Sequence, residues 1–272
     1  MKQAPEITLP PAPALAADNK LVSALARGVS ILACFSHAQQ ELSARELMER
    51  TGLPKPTLFR LVETLCELDL LRYSDRLSKY VPGLGLLALS SPVLARLGLR
   101  QLARAQMQEL AELCQGQVQL AVGYRRRLCL VELADGMGPS VWRPELGVPM
   151  SLARTASGRA YLLTLPETER QAYLSDLRGQ NAERASWLEQ RLQEARCEME
   201  QHGFCRSHGD LTSEIESIAT PLAQAVDGEQ WVFALSLPVY SPMHERLESD
   251  LGPRLRALVR SVEGALGIGP RA

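Results

Sequence analysis

SARELMERTGLPKPTLFRLVETLCELDLL, residues 43–71, decides how the first part of the chain is read. Ser43 suits a helix N-cap: its hydroxyl can hold a free amide, and Glu46 three positions on completes S-x-x-E. The short helix that this predicts covers about Ala44 to Arg50. Gly52 ends it, because glycine takes the left-handed conformation at little cost. A second helix is predicted to start near Lys55 or Pro56, since proline is tolerated where a first-turn amide is not needed. Leu58, Leu61, Val62, Leu65 and Leu68 recur at helical spacing and form one apolar stripe. Pro56, Phe59, Arg60, Glu63 and Glu67 fall on the other side.

Outward from this pair, Leu71–Tyr73 and Lys79–Val81 are predicted to form a small hairpin around SDRLS. A helix over about Leu21 to Phe35 precedes the pair, and residues 1–18, rich in Pro and Ala, read as a flexible tail. Residues 92–113 read as one more helix starting at Pro92. The texture changes at Gly116. VQLAVGY, RLCLVELAD, IESIATPLAQ and EQWVFALSLPVY read as strands interleaved with helices, an α+β or mixed α/β domain over about 114–268. The division is therefore a tail at 1–18, a helical domain at 19–90, a helical connection at 91–113 and a second domain at 114–268.

Helix, short helix, tight turn, longer helix and hairpin is the order of a winged helix-turn-helix. Such a unit offers the start of its second helix to the major groove, which is wide enough to admit it. Lys55, Arg60 and Lys79 are candidate phosphate contacts, and Arg60 also matches the two acceptors on a guanine edge. Thr57 can bond to phosphate or touch a thymine methyl. Phe59 lies off the apolar stripe, where its ring can meet a thymine methyl. Pro56 begins the helix; Arg45, Arg50 and Arg76 add positive field. Between Ser43 and Tyr80 seven basic residues face six acidic ones, a balance of only +1, so binding to double-stranded DNA is expected from a dimer on a palindromic operator. Two readings compete with this one: a sensor whose helical domain docks on protein, and a small-molecule enzyme with a regulatory helical domain.

The whole chain carries a formal charge of -1, so only a local basic face can meet a polyanion. Its six cysteines form no CxxC pair, and MKQAPEITLPPAPALAADNK has no long apolar core. Reduced thiols and a cytoplasmic location are the expectation. LGLLALSSPVLARLGL, at 84–99, is too short to cross a bilayer, and no membrane role is expected.

Together, RELMERTGLPKPTLFRLVETLCELDLLRY, YVPGLGLLALS, GVPMSLARTASGRAYL, ARCEMEQHGF and IESIATPL resemble the IclR family of bacterial transcription regulators, over about residues 20–268. The resemblance implies a winged helix-turn-helix, a linker helix and a carboxy-terminal GAF-like domain that binds a small effector. It also implies a homodimer, in some members a tetramer. Pro56 stands where the family usually has serine, and Phe59 where a polar residue is frequent. The segment after Gly203 also departs from the usual pattern.

TASGRAYLL places Thr155, Ala156, Ser157 and Gly158 at a loop-to-helix junction. Free amides there suit a carboxylate; alternatively Thr155 or Ser157 simply caps the helix. The resemblance implies an effector pocket lined by Ala156, Ser157, Ser207, His208, Ser217 and Ser236. Leu146, Met150, Leu235 and Leu237 are looser candidates for its apolar walls. A small organic acid or a small aromatic compound with a polar group fits that mixture. Arg154 and Arg159 can attract an anion or be solvated.

Cys197, His202, Cys205 and His208 make C-x4-H-x2-C-x2-H, but the spacing matches no common zinc finger and no metal is expected. GLGLLA, at 83–88, lacks the preceding strand and following acid of a dinucleotide site, and reads as a flexible passage. Neither G-x-S-x-G nor H-E-x-x-H occurs, so no cofactor and no enzymatic activity are expected.

Overall fold

The computed structural model describes residues 22–36, 38–124, 126–138 and 143–269. The tail expected over 1–18 lies outside the described residues. The chain divides into two compact units, one ending at Arg96 and the other beginning at Leu97.

In the first unit α1 (Ser23–Leu32), α2 (Ala44–Thr51) and α3 (Lys55–Glu67) precede the hairpin β1 (Leu71–Ser74) and β2 (Lys79–Pro82). Around Ser43 the capping box forms as the spacing predicts. The Glu46 N–H donates to Ser43 Oγ, while the Ser43 N–H and hydroxyl both donate to the Glu46 carboxylate, at 2.8 and 2.7 Å. Gly52 ends α2 in the left-handed conformation, at φ 67°. Leu58, Val62 and Leu65 of α3 pack on Ile31, Phe35, Leu42, Leu47 and Leu71 in one core. Leu68, expected in that stripe, is instead exposed. It is the residue at which α3 stops, and Asp69 next to it turns left-handed at φ 53°. Leu42 and Tyr80 exchange backbone hydrogen bonds of 3.0 and 2.8 Å, which adds one rung to the hairpin. The three-helix core with its hairpin is a winged helix-turn-helix.

Gly83 and Gly85 serve close approach and not flexibility. Their amides donate to the carbonyls of Leu70 and Asp69, and a Cβ on Gly83 would lie 2.1 Å from the Asp69 oxygen. Beyond them the single helix expected over 92–113 is two. Helix α4 (Gly85–Arg96) contains Pro92, and α5 (Gly98–Cys114) follows. Leu97 separates them at φ −77°, ψ 64°, with its side chain buried.

The second unit is built on a five-stranded, wholly antiparallel sheet. Its strands are β3 (Gln117–Tyr124), β4 (Arg127–Asp135), β5 (Cys205–His208), β6 (Ile215–Pro221) and β7 (Gln230–Pro238), in the order β4-β3-β7-β6-β5. Helices α5 and α9 (Gly252–Ala265) cover one face. On the other lies α6 (Ala156–Thr164), followed by α7 (Glu167–Gln180) and α8 (Ala182–His202). Every residue of α6 from Ala156 to Leu162 is buried. Side chains alternate along a strand. Ala121, Cys205, Ala219, Val232 and Ala234 therefore face α6 and join its core, while Phe233, Leu235 and Leu237 face α5 and α9. Among the described residues no helix is long and apolar enough to cross a membrane.

Hydrogen bonds from the Ser43 amide and then its hydroxyl, with the Lys79 charge adding, hold the Glu46 carboxyl below its ordinary range. A depressed carboxyl stabilises the fold above the ordinary carboxylate range and loses that contribution as pH falls through the lowered value. Ser43→Ala is expected to lower unfolding stability by about 1 kcal/mol at pH 7. Urea titrations at pH 7 and pH 3 should show the gap between variant and parent narrowing in acid.

Candidate nucleic-acid interface and effector cavity

On α3 the residues away from the core are Lys55, Pro56, Phe59, Arg60, Glu63, Thr64 and Glu67, all exposed; Thr57 is half-buried. Lys55 and Arg60 precede Glu63 and Glu67, and the first turn holds no acid and the last turn no base. That order opposes the helix dipole, which favours anions at the start and cations at the end. It suits a polyanion brought to the start of α3, where the dipole and the side chains act together.

The other expected DNA contacts are placed less uniformly. Arg76 is exposed in the turn of the hairpin. Lys79 sits 3.8 Å from the Glu46 carboxylate, so a neighbouring acid already offsets part of its charge. Arg45 is exposed and paired with Glu49 one turn along α2, at 2.8 Å. Arg50 is a structural tie, donating to the carbonyl of Cys34 and to the Gln39 side chain.

The second unit holds a narrow cavity of about 20 Å3, room for little more than one water molecule, behind an open mouth. Its floor is a ladder of hydroxyls. Ser207, Ser217 and Ser236 stand in register on β5, β6 and β7 and point to the α6 side. Gln119 reaches Ser236 Oγ at 3.4 Å. Thr155 and Ser157 line the cavity from the start of α6, with Met150, Arg154, Leu211 and Ile215 around them. Thr155 Oγ1 accepts from the Gly158 N–H at 2.9 Å and caps the helix. The Ala156 and Ser157 amides have no acceptor among the described residues. Gly158 is required where α6 meets the preceding loop, since a Cβ would come 2.3 Å from the Ser151 oxygen.

Two arginines tie down the segment after β5. Arg159 is buried, and its guanidinium meets the Asp210 carboxylate at 2.8 Å while donating to the carbonyls of Ala153 and Arg206. Ser207 donates to the same carboxylate at 3.1 Å, and Arg191 lies 3.4 Å away. Arg154 donates to the backbone carbonyls of Asp210 and Leu211, at 2.8 and 2.7 Å. Arg154 forms no ion pair among the described residues, so the cavity keeps a positive wall.

Met150, Ser157, Ser207, Ser217 and Ser236 are thus brought together, and the remaining effector candidates are not. Leu235 and Leu237 lie on the opposite face of the sheet, because strand alternation separates them from Ser236. His208 is turned away for the same reason. Its Nδ1 lies 3.0 Å from Glu216, which also holds His244 at 2.8 Å. Burial works against the Glu216 carboxylate, but hydrogen bonds from His208 and His244 outweigh it and hold its carboxyl below the ordinary range. Ala156 is in the core, its carbonyl accepting the Cys205 thiol. Leu146 is exposed in a turn. Cys197, His202, Cys205 and His208 diverge: Cys197 is exposed on α8, His202 stacks on Phe204, and burial pushes the Cys205 thiol up to about 12. Among the described residues no three metal-ligating side chains converge. Gln119, Leu211 and Ile215 were missed as lining residues, since no local pattern announces the register of β3 or the course of the 209–215 loop.

With this geometry in hand, comparison with known proteins is direct. Residues 24–75 match the IclR helix-turn-helix domain, and residues 91–263 match the bacterial transcriptional regulator IclR C-terminal domain. The chain is 31% identical over 252 residues to the HTH-type transcriptional regulator TsaQ1/TsaQ2 of Comamonas testosteroni, covering 90% of this chain and 89% of that one. It is similar to the crystal structure of an IclR family transcriptional regulator from Brucella abortus, with TM-score 0.79 and 33% identity, covering 91% and 94% of the two chains. An IclR homologue from Microbacterium hydrocarbonoxydans, solved in complex with 4-hydroxybenzoate, shares the fold at TM-score 0.63 and 21% identity, covering 88% and 99%.

Removing one member of a buried ion pair leaves the other uncompensated. Asp210→Ala is expected to cost roughly 3–5 kcal/mol in urea unfolding. Pairing it with Arg159→Met should restore a large part, because no lone charge then stays buried.

Proposed function

Because the chain belongs to the IclR family of bacterial transcription regulators, we propose that it is a cytoplasmic, effector-responsive regulator of a metabolic or catabolic operon. It is a DNA-binding protein and not an enzyme. In this reading residues 19–90 bind DNA, 91–113 connect and 114–268 bind the effector and support the oligomer. A homodimer, able to pair into a tetramer, sets two α3 helices on a roughly palindromic operator. The observation that carries the reading is the outward face of α3, where Lys55 stands exposed in the first turn and Arg60 in the second. Arg76 in the hairpin turn and Lys79, Arg45, Pro56 and Thr57 around it complete the proposed contacts. Exposed apolar side chains on α4, Leu87, Leu89 and Val93, support a second copy as the partner that covers them.

The effector is proposed to be a small organic acid, aliphatic or aromatic. Support comes from Arg154, which has no counter-charge among the described residues, the Ser157 amide and the serine ladder, set beside Met150, Leu211 and Ile215. The 4-hydroxybenzoate bound by the Microbacterium protein is a ligand of this class. Effector binding favours one arrangement of the paired DNA-binding units over another, and so changes operator affinity by differential binding.

Selection of random duplex DNA by the purified protein is expected to return a two-fold symmetric motif. Arg60→Ala should bind that motif roughly 10- to 100-fold more weakly and lose preference at one position per half-site. Unchanged affinity and preference would remove Arg60 from the reading contacts. For the effector, calorimetry with a panel of small carboxylates should find a binder, and Ser217→Val should weaken it roughly tenfold by removing a hydroxyl from the cavity floor. A panel without binders, or a binder indifferent to Ser217→Val, would count against the cavity.

A further inference from the structure

An aromatic ring stands on the outward face of α3, outside the core of its unit. Phe59 is 43% exposed, although its neighbours in the helix, Leu58 and Val62, are buried. Apolar rings gain by leaving water, so an apolar group on a surface docked against α3 would be stabilised by packing on this ring. One turn earlier, Lys55 sets its ammonium 5.8 Å from the ring centroid. That cation–π contact restrains the ring and joins it to a phosphate-seeking charge.

The charge order along α3 limits what the ring can reach. Lys55 and Arg60 lie on either side of Phe59 in sequence, and the exposed Glu63 and Glu67 follow. Phosphates attract the first turn and a half of the helix and repel the remainder. Phe59 therefore sits at the inner limit of the part that a duplex can draw in, beside Arg60.

A phenyl ring offers no donor or acceptor to a base edge. Among the groups that the four unmodified base pairs present in the major groove, the thymine C5 methyl is the apolar one. We propose that Phe59 packs on the methyl group of one thymine in each half-site and so fixes one position of the operator preference. This rests on the DNA-binding reading above and adds to it a base identity and the atom that is read.

The test uses the full-length protein and the best duplex from the random selection. Each thymine of the half-sites is replaced in turn by deoxyuridine, which removes the methyl and keeps every hydrogen bond. Competition binding reads the affinity. At one position per half-site the replacement should weaken the parent protein about fourfold, the worth of one buried methyl-sized group, and both half-sites together about fifteenfold. Phe59→Ala should be insensitive to the same replacements, and Phe59→Leu should keep part of the sensitivity. The side chain is exposed, and circular dichroism checks that both variants fold. A duplex bound tightly in which no deoxyuridine matters would overturn the proposal and leave DNA binding standing. Sensitivity that persists unchanged in Phe59→Ala would overturn it too and hand the methyl to another side chain, Thr57 first. Failure to select any duplex would defeat the DNA-binding reading and this inference with it.

Discussion

Burial of one side of α3 is the interaction on which the rest of the first unit depends. Leu58, Val62 and Leu65 enter a core shared with Ile31, Phe35, Leu42, Leu47 and Leu71. Each such side chain contributes roughly 1.5–3 kcal/mol on leaving water. The outward side works against the helix, with cations at its start and carboxylates near its end, at roughly 0.3–1 kcal/mol for each adverse charge. Burial exceeds that cost, so the helix persists with a charge order chosen for something other than its own stability. The capping box at Ser43 serves the same end by fixing α2, against which α3 is braced across the turn at Gly52.

In the second unit polar groups are sorted by whether the protein itself satisfies them. Arg159 and Asp210 are satisfied within the fold, through each other, Ser207 and two backbone carbonyls. A buried pair so supported defines geometry more than it adds stability. What it defines here is the segment that carries Leu211 toward the cavity. The neighbouring Arg154 amounts to a charge held in place by carbonyls, without a counter-charge among the described residues. A tightly held guanidinium beside the serine ladder is consistent with the anionic effector proposed above.

The sequence made the first unit legible because its signals are local. Ser43, Glu46, Gly52 and Pro56 each act within a few residues, and the stripe from Leu58 to Leu65 repeats at helical period. Leu68 misled because periodicity cannot tell where a helix stops, and here the left-handed Asp69 stops it one residue early. Pro92 misled because proline is tolerated at a helix start but also sits inside α4. In the second unit strands were visible and their pairing was not. Ser207, Ser217 and Ser236 come from three strands whose register aligns them. Leu235 and Leu237, expected as apolar walls of the same pocket as Ser236, are placed on the opposite face by strand alternation. Gln119 is the converse case, far from the other lining residues in sequence and adjacent through the β3–β7 pairing.

Every described lining residue of the cavity lies between Gln119 and Ser236, and every side chain proposed to meet DNA lies between Arg45 and Lys79. The proposed effector site and the proposed DNA contacts thus belong to different units of the chain. In the dimer proposed above, effector binding would act through the relative populations of arrangements that hold the two α3 helices differently. A tenfold change in operator affinity requires about 1.4 kcal/mol of difference in effector binding between those arrangements, and by linkage the operator changes effector affinity by the same factor. The proposed site, with one guanidinium, the Ser157 amide and a few hydroxyls, could supply that difference by losing a single charge-assisted hydrogen bond in one arrangement. Base identity at each half-site, which we propose Phe59 and Arg60 to set, would then stay fixed while the strength of binding is regulated.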